Sequence, residues 1–404
     1  MSARRRPIYL DHAATTPVDP AVAAEMMRCL GPDGVFANPS SSHAMGRAAA
    51  RVVERARRVV AARIGADPAG IVFVSGATEA NNLAIKGVIA AAPAGRRHLV
   101  TTRIEHKSVL DTAAAVEREG VAVTYVGCDS AGLVAPEEIE RAIRPETALV
   151  SVMRVNNETG MIQPTAAIAE VCRERGVPLH VDAVQAVGRL PLDVRRDGFA
   201  LCSVSAHKVG GPKGIGALWI RGDVAVAPLV HGGEQQRGLR PGTLPTHQIA
   251  GMGKAFELAD PAEEGPRLAA LRARLWSGLE RIDGVRMNGD PQLAAPHILN
   301  VAFPGVDGEA LRFALREIAV SAGSACMSDN PEASHVLSAM GLTDAAATAS
   351  IRFSFGRTTT ADEIDETAAR IREEVERLRR LALGAPSWCS AWRSLRATDG
   401  PVFG

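Results

Sequence analysis

Short apolar runs alternate with amphipathic stretches between about residues 46 and 260. Helical spacing of apolar residues over 78–89 and 109–118 predicts helices. Strands that alternate with helices favour βαβ units, so this part of the chain predicts an α/β fold with a mainly parallel sheet. The β-branched and aliphatic runs that predict the strands are 71–74, 99–101, 121–126, 148–155, 179–181, 201–204 and 217–220.

The pattern changes after about residue 260. An arginine- and leucine-rich helix is predicted over 266–281, followed by strands at 298–303 and 351–355 and helices at 309–318 and 362–383. This order is typical of a smaller α+β domain, which the N-terminal segment is expected to join. We therefore predict a large domain over 15–260, a small domain made of 1–14 and 261–385, and a tail over 386–404.

The composition is that of an ordinary globular protein, with 46% apolar and 23% charged residues. A formal net charge of +1 provides no global field for nucleic acid or anionic lipid, so direct binding of either is not expected. Arg4, Arg5 and Arg6 are not followed by the apolar run of a secretion signal, and no stretch has the length of a membrane span. We expect a cytoplasmic protein.

The six cysteines form no C-x-x-C pair, so neither a metal site nor a disulfide framework is predicted.

Lysine is rare in this chain. Of 46 basic residues, only five are lysines: Lys86, Lys107, Lys208, Lys213 and Lys254. Arginine serves wherever a surface cation suffices, so a lysine is a good candidate for chemistry that a guanidinium cannot perform. Forming an imine with an aldehyde is such chemistry, because it requires an amine that can lose its proton.

Polar residues follow the predicted strands at the points where they end. Because ligands of parallel α/β sheets gather at the carboxyl ends of the strands, these residues are expected to converge on one site. A single aspartate at such a point is usually a cap or a turn former, but a set is harder to explain in that way. The set consists of Ala77 and Thr78 after the first strand, Asn157, Asp182 and Gln185 after later ones, and Ser205, His207 and Lys208 after the strand at 201–204.

Together these residues supply what a pyridoxal phosphate site needs. Asp182 would keep the pyridine nitrogen protonated, and Lys208 would hold the aldehyde as an imine. The turn at 75–79 opens a helix, whose free N–H groups suit a phosphate, although a plain N-cap by Ser75 or Thr78 is the competing interpretation. The other expected contacts are from Thr78, Ser205 and His207 to the phosphate, from Asn157 and Gln185 to the ring hydroxyl, and from Ala77 to the cofactor.

Seven short motifs contain these residues and others. They are L-D-H-A-A-T-T at 10–16, G-A-T-E at 76–79, V-N-N-E at 155–158, H-V-D-A-V-Q at 180–185, S-A-H-K at 205–208, G-L-R-P-G-T-L-P-T-H-Q at 238–248 and S-A-G-S-A-C at 321–326. As a set they resemble the pyridoxal-phosphate-dependent cysteine desulfurases of fold type I, the NifS/IscS type within the class-V aminotransferase family. The resemblance runs in register from about residue 7 to 380 and is nearest to the enzymes of iron–sulfur cluster assembly.

The resemblance implies a homodimer that converts L-cysteine to L-alanine. Lys208 would remove the α-proton of the substrate, and the Cys326 thiolate would attack its Sγ atom. Cys326 would then carry a persulfide to a sulfur-acceptor protein, either a cluster scaffold or a thiolation enzyme. The neighbours of Cys326 are small and polar, which favours a reactive thiol over a structural core cysteine.

Three further residues receive roles from the resemblance. His106 would stack on the pyridoxal ring and take part in proton transfer, which a near-neutral pKa permits. Arg352 would bind the substrate carboxylate beside Asn157, and alternation along its strand places its apolar neighbours on the opposite face. Thr243 would reach the cofactor phosphate of the partner subunit. A structural hydrogen bond for His106 and a surface position for Arg352 are the competing interpretations.

The recipient of the sulfur is left open. Residues 329–334 and the tail from 386 depart from the pattern of the family, and both bear on the acceptor rather than on the cofactor. Iron–sulfur cluster assembly is the first expectation, and a sulfur supply for tRNA or DNA thio-modification is the alternative. Selenocysteine cleavage, transamination and a purely interacting, non-catalytic role are the other hypotheses. An aminotransferase would not need Cys326, and an interaction partner would need neither Lys208 nor Asp182.

Overall fold

The strands and helices follow the alternating order that the sequence predicts. The computed structural model describes residues 7–322 and 333–383, so Cys326 and the tail 386–404 lie outside the described residues. The strands are β1 (Ile8–Tyr9), β2 (Ile71–Val74), β3 (His98–Thr102), β4 (Ala122–Val126), β5 (Thr147–Met153), β6 (Leu179–Asp182), β7 (Leu201–Ser205), β8 (Gly216–Ile220), β9 (Arg286–Met287), β10 (Ile298–Ala302), β11 (Ile318–Ala319) and β12 (Ser350–Ser354). The helices are α1 (Pro20–Met27), α2 (Ala44–Arg63), α3 (Ala77–Ala91), α4 (Lys107–Arg118), α5 (Pro136–Ala142), α6 (Thr165–Glu174), α7 (Thr246–Leu258), α8 (Pro261–Leu279), α9 (Gly308–Ala314), α10 (His335–Ala339), α11 (Asp344–Thr348) and α12 (Ala361–Leu383).

A seven-stranded sheet forms the centre of the first 260 residues, in the order β2-β8-β7-β6-β5-β3-β4. β8 is antiparallel to both of its neighbours, and the other neighbouring strands run parallel. The predicted mainly parallel sheet is therefore confirmed. The parallel strands end at the same edge, which is where the sequence places its polar set.

Helices cover both faces of this sheet, which explains why its strands are apolar on both sides. Side chains on a strand alternate between the two faces, so the adjacent residues Leu149 and Val150 lie in different cores. Val150 shares its core with α2, α6 and α7, whereas Leu149 shares its core with α3 and α4. None of the helices in the described ranges combines the length and the apolar composition of a membrane-spanning segment.

A second sheet has three antiparallel strands in the order β12-β10-β9. Its apolar face packs against α8, α9 and α12 in a separate core, in which Phe353 and Ile371 are fully buried. β1 pairs in parallel with β11, and Leu10 is buried in the same core. The N-terminal segment thus contributes to the second core, while the division at residues 14 and 260 stays a prediction.

Two predicted elements end earlier than the periodicity indicates. The helix predicted over 309–318 is wrong at its end: α9 stops at Ala314, and Ile318 lies in β11 opposite Ile8. The strand predicted over 148–155 stops at Met153, and Val155 forms only an isolated bridge with Ile162. Ile318 pairs with the distant N-terminal segment, whereas at Val155 the chain turns back onto Ile162. Local apolar spacing carries no information about either pairing.

Gly216 begins β8 where the sheet meets the turn that follows β2. It pairs with Val74 on one side and with Ser205 on the other. A Cβ atom at position 216 would lie 2.9 Å from the Cα atom of Gly76 and 2.8 Å from the carbonyl oxygen of Val204. Because both are backbone atoms, only glycine allows β8 to lie this close to the turn at Gly76.

We expect Gly216→Ala to lower the free energy of unfolding by about 2 kcal/mol, because overpacking forces the backbone to shift. Urea unfolding followed by circular dichroism measures this difference. Gly222→Ala is the matched control, since a Cβ atom there meets nothing within 4 Å and should leave the free energy unchanged. Equal effects of the two substitutions would contradict the role given to the close approach at Gly216.

A buried histidine connects three parallel strands beneath the carboxyl edge of the sheet. His180 of β6 bonds Ser151 Oγ of β5 through Nδ1 and Ser203 Oγ of β7 through Nε2, each at 2.8 Å. The ring is inaccessible to solvent, and this burial lowers the pKa of His180 to about 4. The fold therefore keeps His180 neutral at pH values at which an unfolded chain would protonate it.

This difference predicts a loss of stability in acid. Because the pKa of His180 falls from 6.5 to about 4 on folding, its contribution is complete above pH 6.5 and is lost as the pH falls towards 4. The slope of the free energy of unfolding against pH measures the difference in bound protons between the unfolded and the folded state. We expect His180→Gln to reduce this difference by close to one proton in this window. Urea unfolding at half-unit pH steps measures the slope, with the exposed His231→Gln as a control that leaves it unchanged. A wild-type slope in His180→Gln would contradict the contribution of His180.

Candidate active site

A cavity of about 460 Å³ opens at the carboxyl edge of the central sheet. Its wall combines the ends of β2, β5, β6 and β7 with the N-terminal segment and with β12. The structure brings together ten of the predicted site residues in this wall: Ala77, Thr78, His106, Asn157, Asp182, Gln185, Ser205, His207, Lys208 and Arg352. Thr243 is exposed and does not line the cavity, and Cys326 lies outside the described residues.

Lys208 lies in the short 3₁₀ turn that directly follows β7. Its Nζ atom donates to the carbonyl oxygen of Ala13 at 2.6 Å and to that of Ala14 at 2.8 Å. The Nε2 atom of Gln185 also donates to the Ala13 oxygen, at 2.9 Å. The L-D-H-A-A-T-T motif therefore contributes to the site through its backbone as well, since one of its carbonyl groups accepts hydrogen bonds from both the amine and the amide of the site.

Asp182 ends β6 and is 7% exposed. One of its carboxylate oxygens accepts a hydrogen bond from Asn81 Nδ2 at 2.8 Å, and the other accepts from the backbone N–H of Val184 at 3.0 Å. The two donors fix the carboxylate in one orientation at the cavity wall. The sequence pattern did not lead to a predicted role for Asn81. Its position on the buried face of the helix at 78–89 could have indicated one, because a buried polar side chain needs a hydrogen-bond partner.

Asn81 also connects Asp182 to His106. Its Nδ2 atom donates to Ser108 Oγ at 2.8 Å, and the backbone N–H of Ser108 donates to His106 Nδ1 at 3.1 Å. Because Nδ1 accepts this bond, the neutral ring carries its proton on Nε2. Burial lowers the pKa of His106, and the charge of Lys208 adds to this effect while that of Asp182 opposes it. His106 is thus both the N-cap of α4 and part of the cavity wall.

The turn at 75–79 leaves the N-terminus of α3 available to a ligand. The N-cap residue is Gly76, so the competing interpretation of a cap by Ser75 or Thr78 is wrong. No described side chain caps this helix, and the residues of its first turn line the cavity. The backbone N–H groups of this turn have no partner within the helix. Near it, burial and the charges of Lys208 and Lys213 lower the pKa of His207 to about 4. An uncapped helix N-terminus beside two lysines suits an anion.

Arg352 is 1% exposed, so the competing interpretation of a surface arginine is wrong. Its Nη1 atom donates to the carbonyl oxygen of Asn157 at 2.8 Å, and its Nη2 atom donates to Asp11 Oδ1 at 2.8 Å. The neighbours Ile351 and Phe353 are buried in the second core on the other face of β12. The guanidinium therefore belongs to the cavity wall and is held there by two segments distant in sequence.

Two further residues, His335 and Glu158, line the cavity, and the sequence predicted no role for either. His335 begins α10, and its Nε2 atom donates to the carbonyl oxygen of Glu105 at 3.0 Å. Glu158 is fully buried and accepts a hydrogen bond from Ser334 Oγ. Burial raises the pKa of Glu158 and raises that of Glu105 to about 8. Glu158 stood in a recognised motif, whereas nothing in the sequence placed His335 near the site.

Two of the described cysteines lie in the core and are unsuited to sulfur chemistry. Cys172 in α6 and Cys202 in β7 are buried, as expected for structural core residues. Burial raises the pKa of Cys172 to about 12 and also raises that of Cys202. Because the thiolate is the nucleophile, such thiols are unreactive near neutral pH.

Comparison with known proteins agrees with this arrangement. The sequence profile of the Aminotransferase class-V family matches residues 8–367. A curated relative named cysteine desulfurase IscS, from Aeromonas hydrophila subsp. hydrophila, is 53% identical over 387 residues, which are 95% of each chain. Among solved structures, a NifS-like protein superposes with a TM-score of 0.85 at 37% identity, over 92% of this chain and 100% of that chain. The structure described as SspA in complex with cysteine has a TM-score of 0.79 at 37% identity, over 87% of this chain and 100% of that one.

These matches extend over nearly all of the residues that form the two sheets and the cavity. They confirm the resemblance that the seven motifs indicate. The chain belongs to the class-V aminotransferase family and, within it, to the cysteine desulfurases of the IscS type.

Proposed function

We propose that the protein binds pyridoxal phosphate on Lys208 and removes sulfur from L-cysteine, with Cys326 as the sulfur carrier. The observation that carries the proposal is the position of the Lys208 amine. It lies in the cavity wall together with the Asp182 carboxylate and the uncapped N-terminus of α3. These are the amine, the acid and the anion site that an aldehyde cofactor with a phosphate group requires.

Two unsatisfied groups in the cavity wall further support the fit. The Oδ1 atom of Asn157 is buried and has no hydrogen-bond partner among the described residues. Gln185 uses one of its two amide hydrogens on Ala13, which leaves the second for a ligand. When bound, pyridoxal phosphate supplies an electron sink for the bonds at the substrate α-carbon.

The side chains have distinct tasks in the proposed reaction. Arg352 binds the α-carboxylate of cysteine, and Asp11 with the Asn157 carbonyl holds the guanidinium in place. Lys208 takes the α-proton, and His106 transfers protons through the Nε2–H that its contact with Ser108 leaves to the cavity. In the net reaction the Cβ–Sγ bond breaks and an S–S bond to Cys326 forms. The carbon retains the electron pair and gains a proton, which gives alanine.

We further propose iron–sulfur cluster assembly as the destination of the sulfur. The relative named IscS is 53% identical to this chain, whereas SspA is 37% identical. The higher identity to the IscS relative supports cluster assembly, which the resemblance implies, and a sulfur supply for tRNA or DNA thio-modification stays the alternative. The acceptor is then a scaffold protein, and a homodimer in which Thr243 serves the phosphate of the partner subunit fits the exposed position of Thr243.

Substituting Lys208 tests the link to the cofactor. Lys208→Arg keeps a cation near the Ala13 and Ala14 carbonyls but cannot form an imine. We expect the wild-type protein to retain a phosphopyridoxyl group after borohydride reduction, as measured by intact-protein mass spectrometry, and the variant to retain none. Lys254→Arg on the surface of α7 is the matched control and should be labelled like the wild type. Labelling of Lys208→Arg would overturn the assignment.

Substituting Cys326 tests the sulfur carrier separately. We expect Cys326→Ser to lower alanine release from L-cysteine by at least about 100-fold, because a hydroxyl is a far weaker nucleophile than a thiolate. Cofactor binding should be unchanged. Cys128→Ser, at a half-buried thiol outside the cavity, controls for general loss of cysteine and should keep full turnover. Undiminished turnover by Cys326→Ser would contradict the persulfide step while leaving the cofactor assignment intact.

A further inference from the structure

A buried histidine of the second sheet contacts the amide of Gln185 from behind the cavity. His297 directly precedes β10 and is 3% exposed. Its Nε2 atom lies 3.3 Å from Gln185 Oε1, while Gln185 Nε2 donates to the Ala13 carbonyl at 2.9 Å. His297 does not line the cavity, and its side chain reaches the site through this contact with Gln185.

These two contacts fix which end of the amide faces which neighbour. The Ala13 carbonyl can only accept, so the amide NH₂ must face it and the amide oxygen must face His297. An amide oxygen can only accept as well, which requires a proton on His297 Nε2. The Ala13 contact thus fixes the orientation of the amide, and this orientation makes the histidine a donor.

The surroundings of His297 keep it in this single protonation state. Complete burial lowers the pKa of His297 well below its ordinary value, and the positive charges of Arg189, Arg272 and Arg352 act in the same direction. His12 packs nearby, and burial lowers its pKa to about 4, so it is neutral as well. A neutral ring with its proton on Nε2 is thus maintained over the whole physiological pH range.

A hydrogen bond at each end restrains the amide more than one bond does. With the Ala13 contact alone, the side chain of Gln185 could still rotate about that bond. The second bond, from His297, fixes the plane of the amide. The remaining N–H of Gln185 then has a set direction, and it has no acceptor among the described residues.

We propose that His297 is a positioning residue that holds the Gln185 amide so that it presents an N–H donor to the cavity. The bound group opposite this donor is then an oxygen that carries negative charge. The inference rests on the proposed function, in which this oxygen is the ring oxygen of pyridoxal phosphate. Its physical consequence is that a fixed donor stabilises the oxygen anion, which lowers the affinity of the adjacent lysine imine for its proton.

The experiment is a pH titration of the absorption spectrum of the loaded protein, with wild type, His297→Phe and His297→Gln compared. Phenylalanine preserves the ring but has no donor, whereas the Nε2 atom of glutamine can take the place of the histidine Nε2. We expect the titration midpoint of His297→Phe to rise by up to about one pH unit. An unrestrained Gln185 amide can turn away from the charged oxygen, and loss of a hydrogen bond to a charged group is worth about that much. The midpoint of His297→Gln should stay near that of the wild type.

Controls separate the possible failures. His98→Phe removes another buried histidine that bonds two threonines and lies outside the cavity, and it should leave the midpoint unchanged. If His297→Phe does not fold, His297→Leu takes its place. An unshifted midpoint in a folded donor-less variant overturns the proposal, and so does an equal shift in His297→Gln. A wild-type protein that binds no pyridoxal phosphate, measured by titrating the apoprotein, overturns the proposed function instead.

Discussion

The guanidinium of Arg352 lies almost completely inside the protein, with 1% of the residue exposed. Transfer of such a charge from water costs several kcal/mol unless the fold supplies opposite charge and hydrogen-bond acceptors. Here the compensation comes from the Asp11 carboxylate and the Asn157 carbonyl. Since these groups belong to the N-terminal segment and to the loop after β5, the buried cation is stable only when three distant parts of the chain meet at the cavity.

The same N-terminal segment then determines where the amine of the site lies. Two residues after Asp11, the carbonyl oxygen of Ala13 accepts hydrogen bonds from both Lys208 and Gln185. A carbonyl oxygen has two lone pairs, so its capacity is used in full. Charge compensation of Arg352, by the Asp11 side chain, and placement of Lys208, by the Ala13 carbonyl, therefore depend on one short segment of the chain. This explains why the motif at 10–16 belongs to the site.

Much of the site could be predicted because parallel strands share an edge. Asp182, Ser205 and Lys208 each follow an apolar run that is buried on both faces, and such runs are readable from sequence. The residues that orient these side chains could not be predicted from apolar runs. Asn81, Ser108 and His297 act through contacts with residues 27 to 112 positions away, and only the folded chain brings these partners together. Thr243 stayed a prediction for a related reason, since its role requires a second subunit.

The second sheet combines two tasks because its strands alternate. Asn300 of β10 lies directly opposite Arg352 of β12, so both side chains are on the same face. On that face Asn300 donates to the Glu158 carbonyl at 3.0 Å, and Arg352 donates to the Asn157 carbonyl one residue earlier. The opposite face carries Leu299 and Phe353 into the second core. A slip of one residue in this pairing would turn the guanidinium into the apolar core, so the register that buries the core is also the register that places Arg352 in the cavity wall.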